Sequence, residues 1–280
     1  MGRYLRPDSL PEALAALRDH PAILAGGTDF YPSRGGAPVE TDVLDVTRIE
    51  SLRGIDHDAR GGGTRIGAAT TWTDLVAAAL PPHFRGLQLA AREVGGVQIQ
   101  NAGTVAGNLC NASPAADGVP ALLALSASVE LASAAGSRVL PLEAFLVGPR
   151  RTALAPGELM TAILVPGASP RARATFLKLG ARRYLVISIA MVSVMIDTDA
   201  AGRIASCGIA VGACSAVARR LPALEKALVG QTLTPGLAAA VEPAHLAPLA
   251  PIDDVRASAD YRREAAATLV RRALEEVAHG

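Results

Sequence analysis

Asn101-Ala102-Gly103-Thr104-Val105-Ala106-Gly107-Asn108-Leu109-Cys110-Asn111-Ala112-Ser113-Pro114-Ala115-Ala116-Asp117 concentrates glycine among small hydroxyl, amide and carboxylate side chains. A shorter segment of the same character stands upstream, Ala25-Gly26-Gly27-Thr28-Asp29. Glycine lets a backbone turn sharply and approach a ligand closely. Successive free N–H groups in such a turn make a concavity that binds anions. Either segment alone reads equally well as an ordinary tight turn. Two in one chain, with Asp117 closing the second, point to a ligand with two phosphates, or to one pyrophosphate gripped from both sides.

Outward from these segments, strands and helices come in blocks. Residues 9–20 read as a helix, with Ser9 and Glu12 at capping-box spacing and Leu10, Leu14 and Leu17 on one face. Ala22-Ile23-Leu24 is a short apolar strand that delivers the backbone to the first glycine turn. Residues 43–46 and 65–68 are further strand candidates. Helices are expected at 71–80, stopped by Pro81-Pro82, at 87–94 and at 119–125. Short strands at 129–131 and 138–140 flank an Ala-Gly turn. Proline and glycine punctuate 166–170 and place a domain boundary there. Beyond it, 175–179 and 204–212 read as strands and 187–196 as a buried helix or strand. Helices are expected at 217–228, 235–241 and 258–278. Blocks of both element types, without strict βαβ alternation, give an α+β fold.

Bulk properties narrow the function. A chain of 280 residues, half of them hydrophobic, builds one large or two modest domains with a real core. A net charge of +1 and 3% aromatic content argue against a nucleic-acid partner. Apolar runs at 121–125 and 184–196 are too short or too interrupted for a transmembrane segment, and the N-terminus has no secretory h-region. Cys110, Cys207 and Cys214 form no paired framework and fit a reducing cytoplasm. Three thiols cannot ligate a [2Fe–2S] cluster, which takes four. Five scattered histidines offer no H-E-x-x-H metal site, and no G-x-S-x-G elbow or Walker A loop occurs. In the triple glycine 61–63, Gly61 and Gly63 match the start of G-x-G-x-x-G, but Ile66 occupies its third glycine; a hairpin turn is the simpler reading. Arg150-Arg151 and Arg182-Arg183 read as solvated pairs, and the mixed charges of the last helix as an exposed face.

The order Ala25-Gly26-Gly27-Thr28-Asp29, then Gly103 to Asp117, then Arg150-Arg151-Thr152, then Phe176-Leu177-Lys178-Leu179-Gly180 resembles the FAD-binding (medium) subunit of molybdenum hydroxylases. That family includes aerobic carbon monoxide dehydrogenase and the flavin region of xanthine dehydrogenase. The likeness runs from Pro7 to the stretch 256–263. It implies a two-lobed FAD-binding domain, about 1–170, and a smaller α+β C-terminal domain of the carbon monoxide dehydrogenase flavoprotein type, about 175–280. It also implies an oxidoreductase subunit that takes electrons from partner 2Fe-2S clusters and passes them through FAD to an external acceptor. Substrate oxidation is then the work of a molybdopterin-binding subunit, in a cytoplasmic hetero-oligomer. By resemblance the FAD contacts are Ile23, Leu24, Ala25, Gly26, Gly27, Thr28, Asp29, Phe30, Val94, Thr104, Gly107, Asn108, Asp117, Met160 and Lys178. Asp117 is expected to accept from cofactor hydroxyls or nitrogens, and Lys178 to set a positive charge near the flavin.

The chain departs from the family pattern twice. Ala106 stands where a glycine is usual, which costs about 1 kcal/mol if the position needs a positive φ. Val186 stands where Asp or Tyr is common beside the flavin ring, and valine makes no hydrogen bond there. Two other readings fit the same motifs: a stand-alone FAD oxidase or dehydrogenase, and a structural subunit without flavin.

Overall fold

The computed structural model describes residues 2–58 and 62–279. The expected hairpin turn at 61–63 falls partly outside them, at Gly61.

The first lobe is a three-stranded parallel sheet of β1 (Tyr4–Leu5), β2 (Ala22–Leu24) and β3 (Val43–Asp45), in the order β1-β3-β2. Parallel neighbours need crossover connections, and α1 (Leu10–Ala16) bridges the first. Ser9 Oγ accepts from the Glu12 amide at 3.4 Å. The full capping box does not form, because Glu12 Oε2 accepts from Asp8 N, one residue early. Ala13, Leu17, Leu44, Ile49 and Leu52 fill the small core.

The second lobe carries β4 (Ile55–Asp58), β5 (Gly63–Gly67), β6 (Ser128–Ser133), β7 (Gly136–Pro141), the small hairpin of β8 (Leu146–Gly148) and β9 (Arg151–Thr152), and β10 (Leu159–Val165). Its main sheet is antiparallel in the order β4-β5-β10-β6-β7. The central strand, β10, is one that the sequence reading leaves unassigned. Its run Leu-Met-Thr-Ala-Ile-Leu-Val is buried on both faces and so lacks the alternation that marks a half-exposed strand.

The helices of this lobe are α2 (Trp72–Ala77), α3 (Arg85–Glu93), α4 (Val97–Ala102), α5 (Val105–Asn111), which packs on β10, α6 (Gly118–Ala124) and the single turn α7 (Leu142–Phe145), which packs on β6 and β7. Thr71 and Asp74 form a reciprocal capping box on α2, at 3.1 and 3.0 Å. The second glycine-rich segment is helical over Val105–Asn111 and turns over 112–117. Ala106 lies inside α5 and is not among the positive-φ residues, so the cost expected for alanine there does not arise.

The C-terminal domain is an antiparallel sheet of β11 (Arg173–Leu179), β12 (Ala190–Thr198), β13 (Ile204–Gly212) and β14 (Arg219–Arg220), in that order. The segment 187–196, open between helix and strand in sequence, is strand from Ala190. The helix expected at 217–228 starts only at Pro222, as α8 (Pro222–Leu228), because residues 219–220 pair with β13. Proline at the first helical position fits that late start. At 235–241 the chain makes 3₁₀ turns over Pro235–Ala240. The last helix, α9 (Ala259–His279), packs on β11 and β12. Its charges are not all solvated. Arg262 is buried, donating to Ile189 O at 2.6 Å, Ala213 O at 3.1 Å and Asp254 Oδ1 at 2.6 Å.

The two domains share a core. Along β12, Ala190, Val192, Val194 and Ile196 face α9, while Met191 and Met195 face the opposite way into the core shared with the first domain. On that second side α3 packs on β11, and α6 packs on β12 and β13.

His83 sits at this joint, in the single turn Pro82–Phe84 that packs against β11. It is buried on Phe84, with ring centroids 4.5 Å apart, and neither ring nitrogen has a partner among the described residues. Burial holds its pKa below the ordinary 6.5. The unfolded chain takes up this proton near 6.5 and the folded chain resists it, so stability falls as pH drops below about 6.5. His83→Leu is expected to remove that slope and to raise stability at pH 5.5 by about 1 kcal/mol. Melts at pH 8 and 5.5 check this; an unchanged slope in the variant would assign the acid loss to other groups.

Candidate functional site

β2 ends at Leu24, and the chain then turns through Ala25, Gly26 and Gly27, the last at φ +72°. That left-handed conformation favours glycine. Among the described residues, none accepts a hydrogen bond from the N–H of Gly26, Gly27, Thr28, Asp29 or Phe30. Five consecutive amides are thus left for a ligand.

The second segment is in direct contact with the first. A Cβ on Gly26 would stand 1.9 Å from Ala102 O and 2.8 Å from Gly103 Cα. Four of its own amides are already used. Gly103 N donates to Ile99 O, Val105 N to Thr70 O, Gly107 N to Thr104 Oγ1 and Asn108 N to Thr104 O. The amide grip expected from sequence is therefore unequal: among the described residues only the N–H groups of Thr104 and Ala106 in 103–108 have no acceptor, against five in the first turn. The second wall also offers small residues and the Asn108 side chain, whose buried Oδ1 has no partner among the described residues.

Between the walls lies a cavity of about 360 Å³. That is within the range of small-molecule sites, ~300–1,000 Å³. Of the residues expected from sequence, Ile23, Ala25, Gly26, Gly27, Thr28, Asp29, Phe30, Val94, Thr104, Gly107, Asn108 and Met160 line it. Leu24, Asp117 and Lys178 do not. Leu24 is buried beneath the first turn, near Gly27.

Asp117 and Lys178 are instead paired with each other at 2.8 Å, both almost wholly buried. Ser188 Oγ donates to the second Asp117 oxygen at 2.8 Å, and Lys178 Nζ also donates to Glu93 O at 3.2 Å. Glu93 adjoins Val94 in the chain, so the pair stands one residue from the cavity wall. Burial pushes the Asp117 carboxyl up, and the Lys178 ammonium opposes it. Asp117 makes no side-chain cap for α6. Val186, flagged in sequence, packs against Gly180.

The sequence reading misses Trp72, Ile99, Cys110, Asn111, Leu154 and Leu159 among the lining residues. A signal for Asn111 exists. Thr104, Gly107, Asn108 and Asn111 recur at i, i+3, i+4 and i+7, one face of a helix, and all four line the cavity.

The walls divide by chemistry. The 26–30 turn is an anion site of backbone donors. Ile23, Trp72, Val94, Ile99 and Met160 are apolar. Such a cavity suits a ligand with a phosphate-bearing middle and flat, apolar ends.

Residues 1–168 match the family described as the FAD binding domain in molybdopterin dehydrogenase, and residues 174–277 match the CO dehydrogenase flavoprotein C-terminal domain. The chain is 31% identical to the nicotine 6-hydroxylase medium subunit of Paenarthrobacter nicotinovorans over 278 residues, covering 98% of this chain and 96% of that one. It is 32% identical over 279 residues to the glyceraldehyde dehydrogenase medium chain of Sulfolobus acidocaldarius, covering 98% of both. A chain of CO dehydrogenase from Oligotropha carboxidovorans superposes with a TM-score of 0.90 at 28% identity, over 100% of this chain and 98% of that chain. The chain belongs to the family of FAD-binding medium subunits of molybdopterin-dependent dehydrogenases, oxidoreductases of the xanthine dehydrogenase type.

Proposed function

We propose that this chain holds FAD between its two glycine-rich walls and relays electrons through it, from the 2Fe-2S clusters of a partner subunit to an external acceptor. A molybdopterin-binding partner then oxidises the substrate, and the three chains form a cytoplasmic hetero-oligomer. The unpaired amides of residues 26–30 carry this reading. The residues present fit FAD. Amide donors suit the pyrophosphate, the orphaned Asn108 Oδ1 suits a hydroxyl or N–H of the cofactor, and the apolar wall suits its rings. Bound there, FAD supplies one- and two-electron chemistry. The protein's part is to grip, orient and bias it. Residues 23–30, Val94, Thr104, Gly107, Asn108 and Met160 hold it. Asp117 and Lys178 act from one residue behind Val94, where the buried pair fixes the charge near the ring.

The domains divide the work at about 1–170, which builds the cavity, and 175–280, which supplies Lys178. Among the described residues no helix is long and apolar enough to cross a membrane. The named relatives serve complexes for nicotine and glyceraldehyde. Such different substrates on one kind of medium chain support a substrate pocket on another subunit.

The test is the visible absorbance of the purified chain, with and without added FAD. A flavin band is expected, with FAD rather than FMN on release. Asn108→Leu is expected to weaken FAD about tenfold, the worth of one hydrogen bond to a buried acceptor. A folded chain that ignores FAD would sink the proposal and leave a structural subunit. Turnover of an organic substrate by the chain alone would favour the stand-alone oxidase.

A further inference from the structure

We propose that Arg150, at the cavity mouth, is a phosphate-reading residue for the cofactor. The inference rests on the FAD reading above. It starts from a mismatch of charge. FAD is an anion, yet among the described residues no lysine or arginine lines the cavity, and its one charged lining residue is the acidic Asp29. Arg150 stands at that residue. Its Nη1 lies 3.9 Å from Asp29 Oδ1 and donates to Asn111 Oδ1, so it touches one residue from each wall. Both Arg150 and Asp29 are 58% exposed, which leaves guanidinium donors free for an incoming phosphate.

The backbone beneath Arg150 supports a working side chain. Pro149 and Arg150 are the two central residues of the β8–β9 hairpin. Arg150 has φ +56°, a conformation that favours glycine at this place in a turn. An arginine held there against that preference has a side chain worth keeping. Its amide donates to Ala112 O at 2.9 Å, which ties the turn to the end of α5, beside Asn111. The guanidinium is thereby aimed across the mouth. It offsets Asp29 before the cofactor enters and shifts to a pyrophosphate oxygen when it arrives, a charge-assisted contact that screens with salt.

The experiment compares wild type, Arg150→Gln and Arg150→Gly by titration with FAD, ADP and riboflavin at two salt concentrations. Both variants are expected to weaken FAD and ADP about ten- to hundredfold. Riboflavin, which has no phosphate, is expected to bind unchanged, and the salt dependence to flatten. Arg150→Gly is expected to melt no lower than wild type, because glycine relaxes the turn. That separates lost binding from lost folding. Unchanged FAD and ADP affinity in Arg150→Gly overturns this inference alone. Equal losses for all three ligands also overturn it, since Arg150 would then only shape the turn. Wild type that binds neither FAD nor ADP overturns it together with the FAD reading.

Discussion

Gly26→Ala is expected to lower FAD affinity more than a hundredfold and to destabilise the chain by about 3 kcal/mol. The reason is the contact between the two glycine-rich segments. The added Cβ would lie 1.9 Å from Ala102 O, 2.6 Å from Ala102 C and 2.8 Å from Gly103 Cα. All three are backbone atoms, so no side chain can rotate away. Relief requires the turn at 25–29 and the α4–α5 junction to separate by more than an ångström. That displaces the free amides of residues 26–30 from Asn108, and a ligand gripped by both walls loses its fit. Fluorescence titration with FAD and a thermal melt check the two parts. Wild-type affinity in Gly26→Ala would mean that the close approach of the walls does not shape the site.

Lys178→Met is expected to cost about 3–5 kcal/mol at pH 8, the usual result of removing one member of a buried ion pair. The side chains of Lys178 and Asp117 are only 6% and 11% exposed. Without the ammonium, Asp117 retains one donor, Ser188. The pair also joins the domains, Asp117 at the start of α6 and Lys178 on β11, so its loss loosens the joint that faces Val94. The pH sign follows from burial. Burial already pushes the Asp117 carboxyl above 3.8, and the variant raises it further. Between 3.8 and that raised value the folded chain binds the extra proton, so stability falls as pH rises through the interval. The deficit is therefore smaller at pH 5 than at pH 8. The double variant Asp117→Ala with Lys178→Met, carrying neither charge, is expected to recover part of the loss. Equal melting of Lys178→Met and wild type at pH 8 would show that the pair does not hold the joint.

The order of motifs was legible because each is local. Ser9 and Thr71 cap helices through neighbours three residues on. β10 was not legible, because a strand buried on both faces has no period to read. The cavity was legible at its glycine turns and less so along α5. There a helix was hidden by glycine and asparagine, residues of weak helix propensity.

By itself, then, the sequence determined the α+β class, the family and the two segments that meet a ligand, because composition, spacing and short-range capping are written in neighbouring residues. Only the tertiary structure decided which groups in those segments are free to act. Thr70 and Thr104 take the amides of 105, 107 and 108, Gly26 brings the walls into contact, Lys178 pairs with Asp117, and Arg150 reaches Asn111. A polar group's availability depends on the partners that folding brings to it, and several of these stand tens of residues away along the chain.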